Sequence, residues 1–318
     1  MKILTTLLFL FLFLKFNYAQ DAMVKDTISV DEIEFITTEL PLQLEEISAL
    51  SYEDRDKSVV SFWGLNDSGN KSELYRFTKD GNIIQTISTT NAPNIDWEEI
   101  AIDDNKLFFA DFGNNLGNRK DLAIYYINRD EIDLNNEFQS LQAHKIEFFY
   151  PEQEHFGYKN LTTNWDAEAF FIYNNQIHVL TKEWTNKATT HYTIPIDSSK
   201  RHAAKRIEVY PTDFMVTGAH ISTKSNDKGL YIIGYTIETL AILQWFDLPK
   251  DNSDLIFTNS AKTTILPLGF TTQLGQLEGI SLSSADQNQI CMSGEKFKFK
   301  GFHAKQILHC FKNFTNQK

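Results

Sequence analysis

Basic charge is scarce in this chain: 30 Lys and Arg stand against 42 Asp and Glu, a formal net charge of −12. Nucleic acid is therefore not the expected partner, because phosphate contacts need clustered cations. Cysteine is nearly absent. Cys291 and Cys310 are the two present, and no Cys-x-x-Cys or His-x₃-His spacing accompanies them, which excludes a zinc site. Their place in the last repeat leaves both a disulfide and two buried thiols open. With 14 Gly and 7 Pro the chain is not of low complexity. No Gly-x-Ser-x-Gly, Walker loop or His-Glu-x-x-His occurs, so the commonest hydrolase signatures are missing. Long apolar runs are missing too: the first extends only from Ile3 to Leu14, short of the roughly 18 residues needed to cross a bilayer.

That short run has a meaning of its own. Lys2 precedes it, and a polar stretch ending in Ala19 follows. A basic start, a brief apolar core and a small residue before the break describe a secretory signal peptide over residues 1–19. The expectation is an exported protein, periplasmic or extracellular, with no membrane span after cleavage. A short flexible start over 20–26 and a single domain over 27–318 complete the division.

The domain announces itself by repetition. Ser48, Glu98, Glu168, Ala219 and Glu278 each begin a short strand-like run. Each is followed two places on by an apolar residue: Leu50, Ile100, Phe170, Ile221 and Ile280. The spacings between starts are 50, 70, 51 and 59 residues. Within a repeat the pattern is four antiparallel strands. The third repeat reads Glu168–Tyr173, an Asn174-Asn175 turn, Gln176–Thr181, Thr190–Ile194 and Arg206–Val209. Two-residue Asn turns between apolar runs are hairpin signals. Repeats of this length built of short strands mark a β-propeller. The predicted architecture is all-β and five-bladed, with six blades as the alternative if region 128–164 conceals one. After Glu278 there is room for three strands only, so Thr27–Thr38 is predicted to supply the fourth and close the ring beside Gln306–Phe311.

Tight turns fall on one face of such a ring. Asp111–Asp121, Pro151–Asn164, Glu183–Ala188 and Glu295–Ala304 fall on the other, where the inner strands begin. Long loops at one mouth of a rigid scaffold are where binding resides, and the trimmed face is expected to leave little room. At the looped mouth Glu98, Glu168 and Glu278 would converge on the axis and repel one another. A hard cation with oxygen ligands relieves that repulsion, and Ca²⁺ tolerates 6–8 oxygens in irregular geometry. Ser48 would add a hydroxyl or carbonyl and Ala219 a carbonyl. A channel whose glutamates pair with Lys or backbone N–H groups is the competing arrangement. Asn66, Asp67, Asp111, Arg119, Lys182, Glu183, Tyr235 and Glu295 are expected to line the mouth. His155 and His220 are the candidate general bases.

Particular runs carry a family likeness. Glu46 to Tyr52, Gly64-Leu-Asn-Asp67, Leu74-Tyr75, Asp80-Gly81 and Asp96-Trp-Glu-Glu-Ile-Ala101 resemble the SdiA-regulated, YjiK-like propeller proteins of bacteria. That resemblance implies an exported propeller with a calcium site. A second similarity is to the calcium-activated nucleotidases (apyrases), five-bladed with one axial Ca²⁺. Their ligand order Ser, Glu, Glu, Ser, Glu is similar to Ser48, Glu98, Glu168, Ala219, Glu278, with Ala219 where that family has Ser. Two functions follow as expectations. The first is a calcium-binding propeller that takes a small molecule or protein at its looped mouth. The alternative is a Ca²⁺-dependent hydrolase of a phosphoester, phosphoanhydride or lactone.

Overall fold

The computed structural model describes residues 23–29, 31, 33–224, 228–283, 288–299 and 301–316; the expected signal peptide lies outside them. Strands dominate because β-branched and aromatic residues alternate between Asn-, Asp- and Gly-rich turns. Five sheets result. The first blade uses Ser51–Tyr52, Ser61–Leu65, Glu73–Thr78 and Ile83–Thr89 from the axis outward, and the second Trp97–Ile102, Lys106–Asp111, Ala123–Asn128 and His144–Phe149. The third comprises Asp166–Tyr173, Gln176–Lys182, Thr189–Pro195 and Lys205–Tyr210, and the fourth Met215–Ser222, Gly229–Tyr235, Leu240–Phe246 and Lys262–Phe270. In the fifth, Gln276–Ser283, Gln289–Glu295 and Ile307–Lys312 are completed by Ile36–Glu39 from the start of the chain.

Ring closure shows in the packing. The inner strands neighbour one another in order, the fifth lying against the first. The apolar core is split into five wedges, one per junction between blades. Trp63, Trp97 and Phe109 fill the first junction, and Phe112, Phe148 and Phe170 the second. Leu40, Phe62 and Leu308 fill the last, between blades five and one. Every blade therefore buries both faces, which a four-stranded sheet cannot do alone.

The closing strand is shorter than the sequence suggested. Within Thr27–Thr38, residues Ile36 to Thr38 pair antiparallel with Cys310 to Leu308. Thr27 instead ends a strand, Val24–Thr27, that runs parallel to Lys262–Ile265 on the outside of the fourth blade. The expected flexible start therefore contains a strand. No sixth blade lies in 128–164: Phe138–Leu141 from that region runs parallel along the first blade's outer strand. His202–Ala203 does the same for the second. These additions cover strand edges that would otherwise invite pairing with another chain. Cys291 and Cys310 stand opposite each other in register and form a disulfide.

Candidate functional site

Each inner strand carries the same irregularity near its start. Pairing slips by one residue between Trp97 and Glu99, Ala167 and Ala169, Val216 and Gly218, and Leu277 and Gly279. The extra residues are Glu98, Glu168, Thr217 and Glu278. In the first blade Ile47 pairs with Asn66 and Ser51 with Trp63, which places one extra residue between them, and Ser48 donates its N–H to Leu65 O. A bulge inserts one residue without a partner and re-aims its side chain. This is how the fold gathers the axial residues.

The shared register corrects one assignment. The fourth blade's counterpart of the glutamates is Thr217, two residues before Ala219. Alternation of apolar positions made Ala219 look equivalent, because a bulge is invisible to a period of two. Thr217 brings a hydroxyl, which donates to Leu277 O at 2.6 Å.

Glu98, Glu168 and Glu278 are all buried. Burial first, then neighbouring carboxylates, raises all three far above the ordinary range. For Glu98 the neighbours are Asp67, Glu168, Asp96 and Asp166. The same causes push Asp96 up to about 7 and Glu295 to about 8. Asp67 rises too, by burial. Against these carboxyls stands the Lys182 ammonium, paired with Glu168 Oε1 and 4.9 Å and 5.4 Å from the ring centres of Trp184 and Tyr235. Burial alone would lower the Lys182 pKa; Glu168, Tyr235 and Asp166 outweigh it and hold the group charged. The competing arrangement, glutamate paired with lysine, is thus realised at one carboxylate.

The rest of the mouth is not neutralised by it. Asp67, Asp96 and Glu98 present oxygens all within 4.8 Å of one another. Glu168 Oε2 is buried without a hydrogen-bond partner. The loop Phe112-Gly113-Asn114 passes over this group closely enough that a Cβ on Gly113 would overlap Glu98 Oε1 and Asp96 Oδ2. An all-oxygen donor set, desolvated and short of positive charge, fits a hard cation.

Two further residues of this region escaped the sequence reading. Asp96 lay in a quoted motif but not among the candidates; the carboxylate two residues before Glu98 was its only signal. Glu99 is fully buried, and its carboxylate accepts the N–H of Ile100 at 2.9 Å and of Ala219 at 3.3 Å. Its counterparts in the other blades are Ala49, Ala169, Gly218 and Gly279. Four small residues and one glutamate mean that Glu99 ties the second blade to the fourth across the axis.

Other candidates are placed elsewhere. Glu183 is engaged within its own blade, accepting from Thr190 Oγ1 at 2.5 Å, Thr181 Oγ1 at 3.1 Å and Asn186 Nδ2 at 2.8 Å. Asp111 and Arg119 pair with each other at 2.9 Å, and Arg119 also meets Asp121. Asn66 binds Gln43 O through its amide nitrogen, while its Oδ1 is unpartnered. His155 is exposed on the outer loop. His220 lies beyond Ala219, towards the trimmed face, where burial and then Lys224 lower its pKa to about 4.

That trimmed face is also roomier than its tight turns implied. A cavity of about 330 Å³ opens there, lined by Ile100, Ile102, Phe170, Ile172, His220 and Leu282 among others. Tight hairpin turns leave the axial channel unroofed rather than filled.

No protein-family model matches this chain, and neither does any curated protein. Solved β-propeller structures align along most of its length. A glutaminyl cyclase from Myxococcus xanthus matches at 9% identity and a TM-score of 0.46, over 92% of this chain and 100% of that one. A luciferin-regenerating enzyme matches at 7% and 0.44, over 88% and 96%. A member of the DUF4221 family from Bacteroides vulgatus matches at 9% and 0.39, over 88% and 96%. Likenesses this distant say nothing of what this chain acts on. Among the described residues no helix is long and apolar enough to cross a membrane.

Proposed function

We propose that this is an exported propeller that binds Ca²⁺ at its acidic mouth and uses the loops around it to hold a ligand or partner. One observation carries the reading: Asp67, Asp96 and Glu98 bring their oxygens within 4.8 Å of one another, at a mouth where burial raises every axial carboxyl. Carboxylates so placed must be protonated or share a cation. Asp67, Asp96 and Glu98 would hold the ion, and Glu168 Oε2 is a buried oxygen without a hydrogen-bond partner. A bound calcium ion supplies a positive centre for an anionic or carbonyl oxygen of the ligand. The chain's own part is to preorganise: the bulges fix the carboxylates, Gly113 lets the loop close over them, and Lys182 holds Glu168.

The resemblance of the blade-start runs to SdiA-regulated-like propellers supports this reading. Export is supported by the pattern of residues 1–19 and by the disulfide, which suits an oxidising compartment.

A second reading, a Ca²⁺-dependent hydrolase of a phosphoester, phosphoanhydride or lactone, draws on a different observation. His220 lies towards the other face, but burial and neighbouring carboxylates push Glu295, which is not among the proposed ligands, up to about 8. A carboxyl poised near neutrality suits proton transfer beside a polarised oxygen. Titration calorimetry of metal-free protein with Ca²⁺ and Mg²⁺ tests the first reading: Ca²⁺ binds one-to-one and more tightly, and Glu98→Gln removes the binding. Absence of Ca²⁺ binding in the wild type ends it. Turnover of p-nitrophenyl phosphate, ATP, GDP or a lactone that needs Ca²⁺ and is lost in Glu295→Gln would instead establish the second.

A further inference from the structure

Two cations, Lys120 and Arg201, face one cavity away from the axis. After its third strand, Thr189–Pro195, the third blade sends the chain across to the second blade's outer edge. There His202 and Ala203 pair with Phe148 and Phe149. This excursion seats the Arg201 guanidinium 4.9 Å from the Phe149 ring centre. Its Nη2 donates to the backbone carbonyl of Lys120 at 2.7 Å, so the group is held in place without being neutralised. The Lys120 ammonium stands 4.4 Å from the ring centre of Phe156, on the Pro151–Asn164 loop. Among the described residues neither cation has a carboxylate partner.

Between them lies a cavity of about 300 Å³, lined by Lys120, Leu122, Phe149, Pro151, Phe156 and Arg201 together with Arg119. No carboxylate lines it, and Arg119 is already engaged by Asp111 and Asp121. Phe149 is 38% exposed and Phe156 is 42% exposed, large apolar surfaces left open beside fixed cations. The loop is anchored, with Gly157 N–H on Gly117 O at 3.1 Å and Tyr158 N–H on Leu116 O at 2.7 Å. The wall that carries Phe156 is thereby fixed to the second blade.

We infer that this cavity between the second and third blades is a binding site for a small aromatic carboxylate. With Nη2 spent on the backbone carbonyls of Lys120 and Phe148, Arg201 keeps its charge and the N–H groups of Nε and Nη1 as donors to a carboxylate. The flanking phenyl rings and Leu122 cover an apolar ring, and the volume lies at the small end of ligand pockets. The site is separate from the proposed cation site and does not rest on it.

Phenylacetate titrated into the full-length protein, followed by calorimetry or amide chemical shifts, tests the inference against acetate, 2-phenylethanol, phenethylamine and inorganic phosphate. Saturable phenylacetate binding is expected, with each of the other four weaker by about tenfold or more. Arg201→Gln should weaken phenylacetate by about tenfold or more, and Phe156→Ala should weaken it several-fold. Both positions are exposed, so the variants are expected to fold, and an unchanged circular dichroism spectrum checks this. Glu98→Gln and chelator should leave phenylacetate binding unaltered. Equal binding of 2-phenylethanol, equal binding of acetate or phosphate, full affinity in Arg201→Gln, or no saturation in the millimolar range would each overturn the assignment.

Discussion

The metal-free protein should lose stability as pH rises, and bound calcium should offset that loss. Burial, then the neighbouring Asp67 and Asp166, push Asp96 up to about 7, against an ordinary value of 3.8. A group whose folded pKa is raised binds more protons folded than unfolded, so its stabilising contribution is lost as pH rises towards 7 and beyond. For Asp96 alone, moving from pH 6 to pH 8 removes about 1.4 kcal/mol, which in a domain of this size lowers the melting temperature by about 2 °C. Glu295, with a pKa of about 8, adds to the loss in the same window. Calcium cancels the Asp96 contribution to this loss, because the ion needs the ionised carboxylate and holds it so at both pH values. The ionised fraction of Asp96 climbs from about one tenth to about nine tenths between those pH values, so apparent Ca²⁺ affinity should rise about tenfold. Melting by scanning fluorimetry at pH 6, 7 and 8, with chelator and with saturating Ca²⁺, reads both effects. In chelator the melting temperature falls with pH, and the increment due to calcium grows. A chelator series that climbs from pH 6 to 8, or a calcium increment that shrinks, refutes the account of these carboxyls.

Three further outcomes follow from the same geometry. Lys182→Met removes an ammonium facing the cluster. Even at a water-like dielectric and about 6 Å, its repulsion of a divalent ion is about 1.4 kcal/mol, so Ca²⁺ should bind about tenfold tighter in calorimetry while the metal-free protein melts lower. Glu99→Ala leaves buried backbone N–H groups on the axis unpaired and should cost about 3 kcal/mol in urea unfolding, whereas calcium affinity changes little. Replacing both Cys291 and Cys310 by Ser opens a link across a separation of 19 residues; a loss of about 2–4 kcal/mol is expected, again read by urea unfolding.

Much of this fold was legible because a propeller repeats its logic. The Asn174-Asn175 turn lies where two strands pair back on each other, Tyr173 opposite Gln176. The blade count also followed from the strand starts. What the residues did not disclose were the excursions: Val24–Thr27, Phe138–Leu141 and His202–Ala203 each leave their place in the chain to cover a neighbouring blade's edge. Nothing local marks them, since a parallel edge pairing is decided by which blade stands nearby. At the site, Glu98, Glu168 and Glu278 were visible as strand starts, and Asp67 as a residue at the end of a second strand. Thr217 was hidden by the bulge. Asp96 and Glu99 flank Glu98 in one short run, and only the register shows which of the three faces the mouth and which spans the axis. The histidines were proposed for their chemistry and their expected place near that mouth; His155 is exposed on the Pro151–Asn164 loop, and His220 lies towards the other face.

The most direct measurement is a crystal structure of the protein grown with calcium, with the ion located by its anomalous signal. The account predicts one peak at the looped mouth, with oxygens of Asp67, Asp96 and Glu98 at the 2.3–2.6 Å typical of calcium. A mouth without such a peak at saturating calcium, its carboxyls bonded to one another or to Lys182, would contradict it.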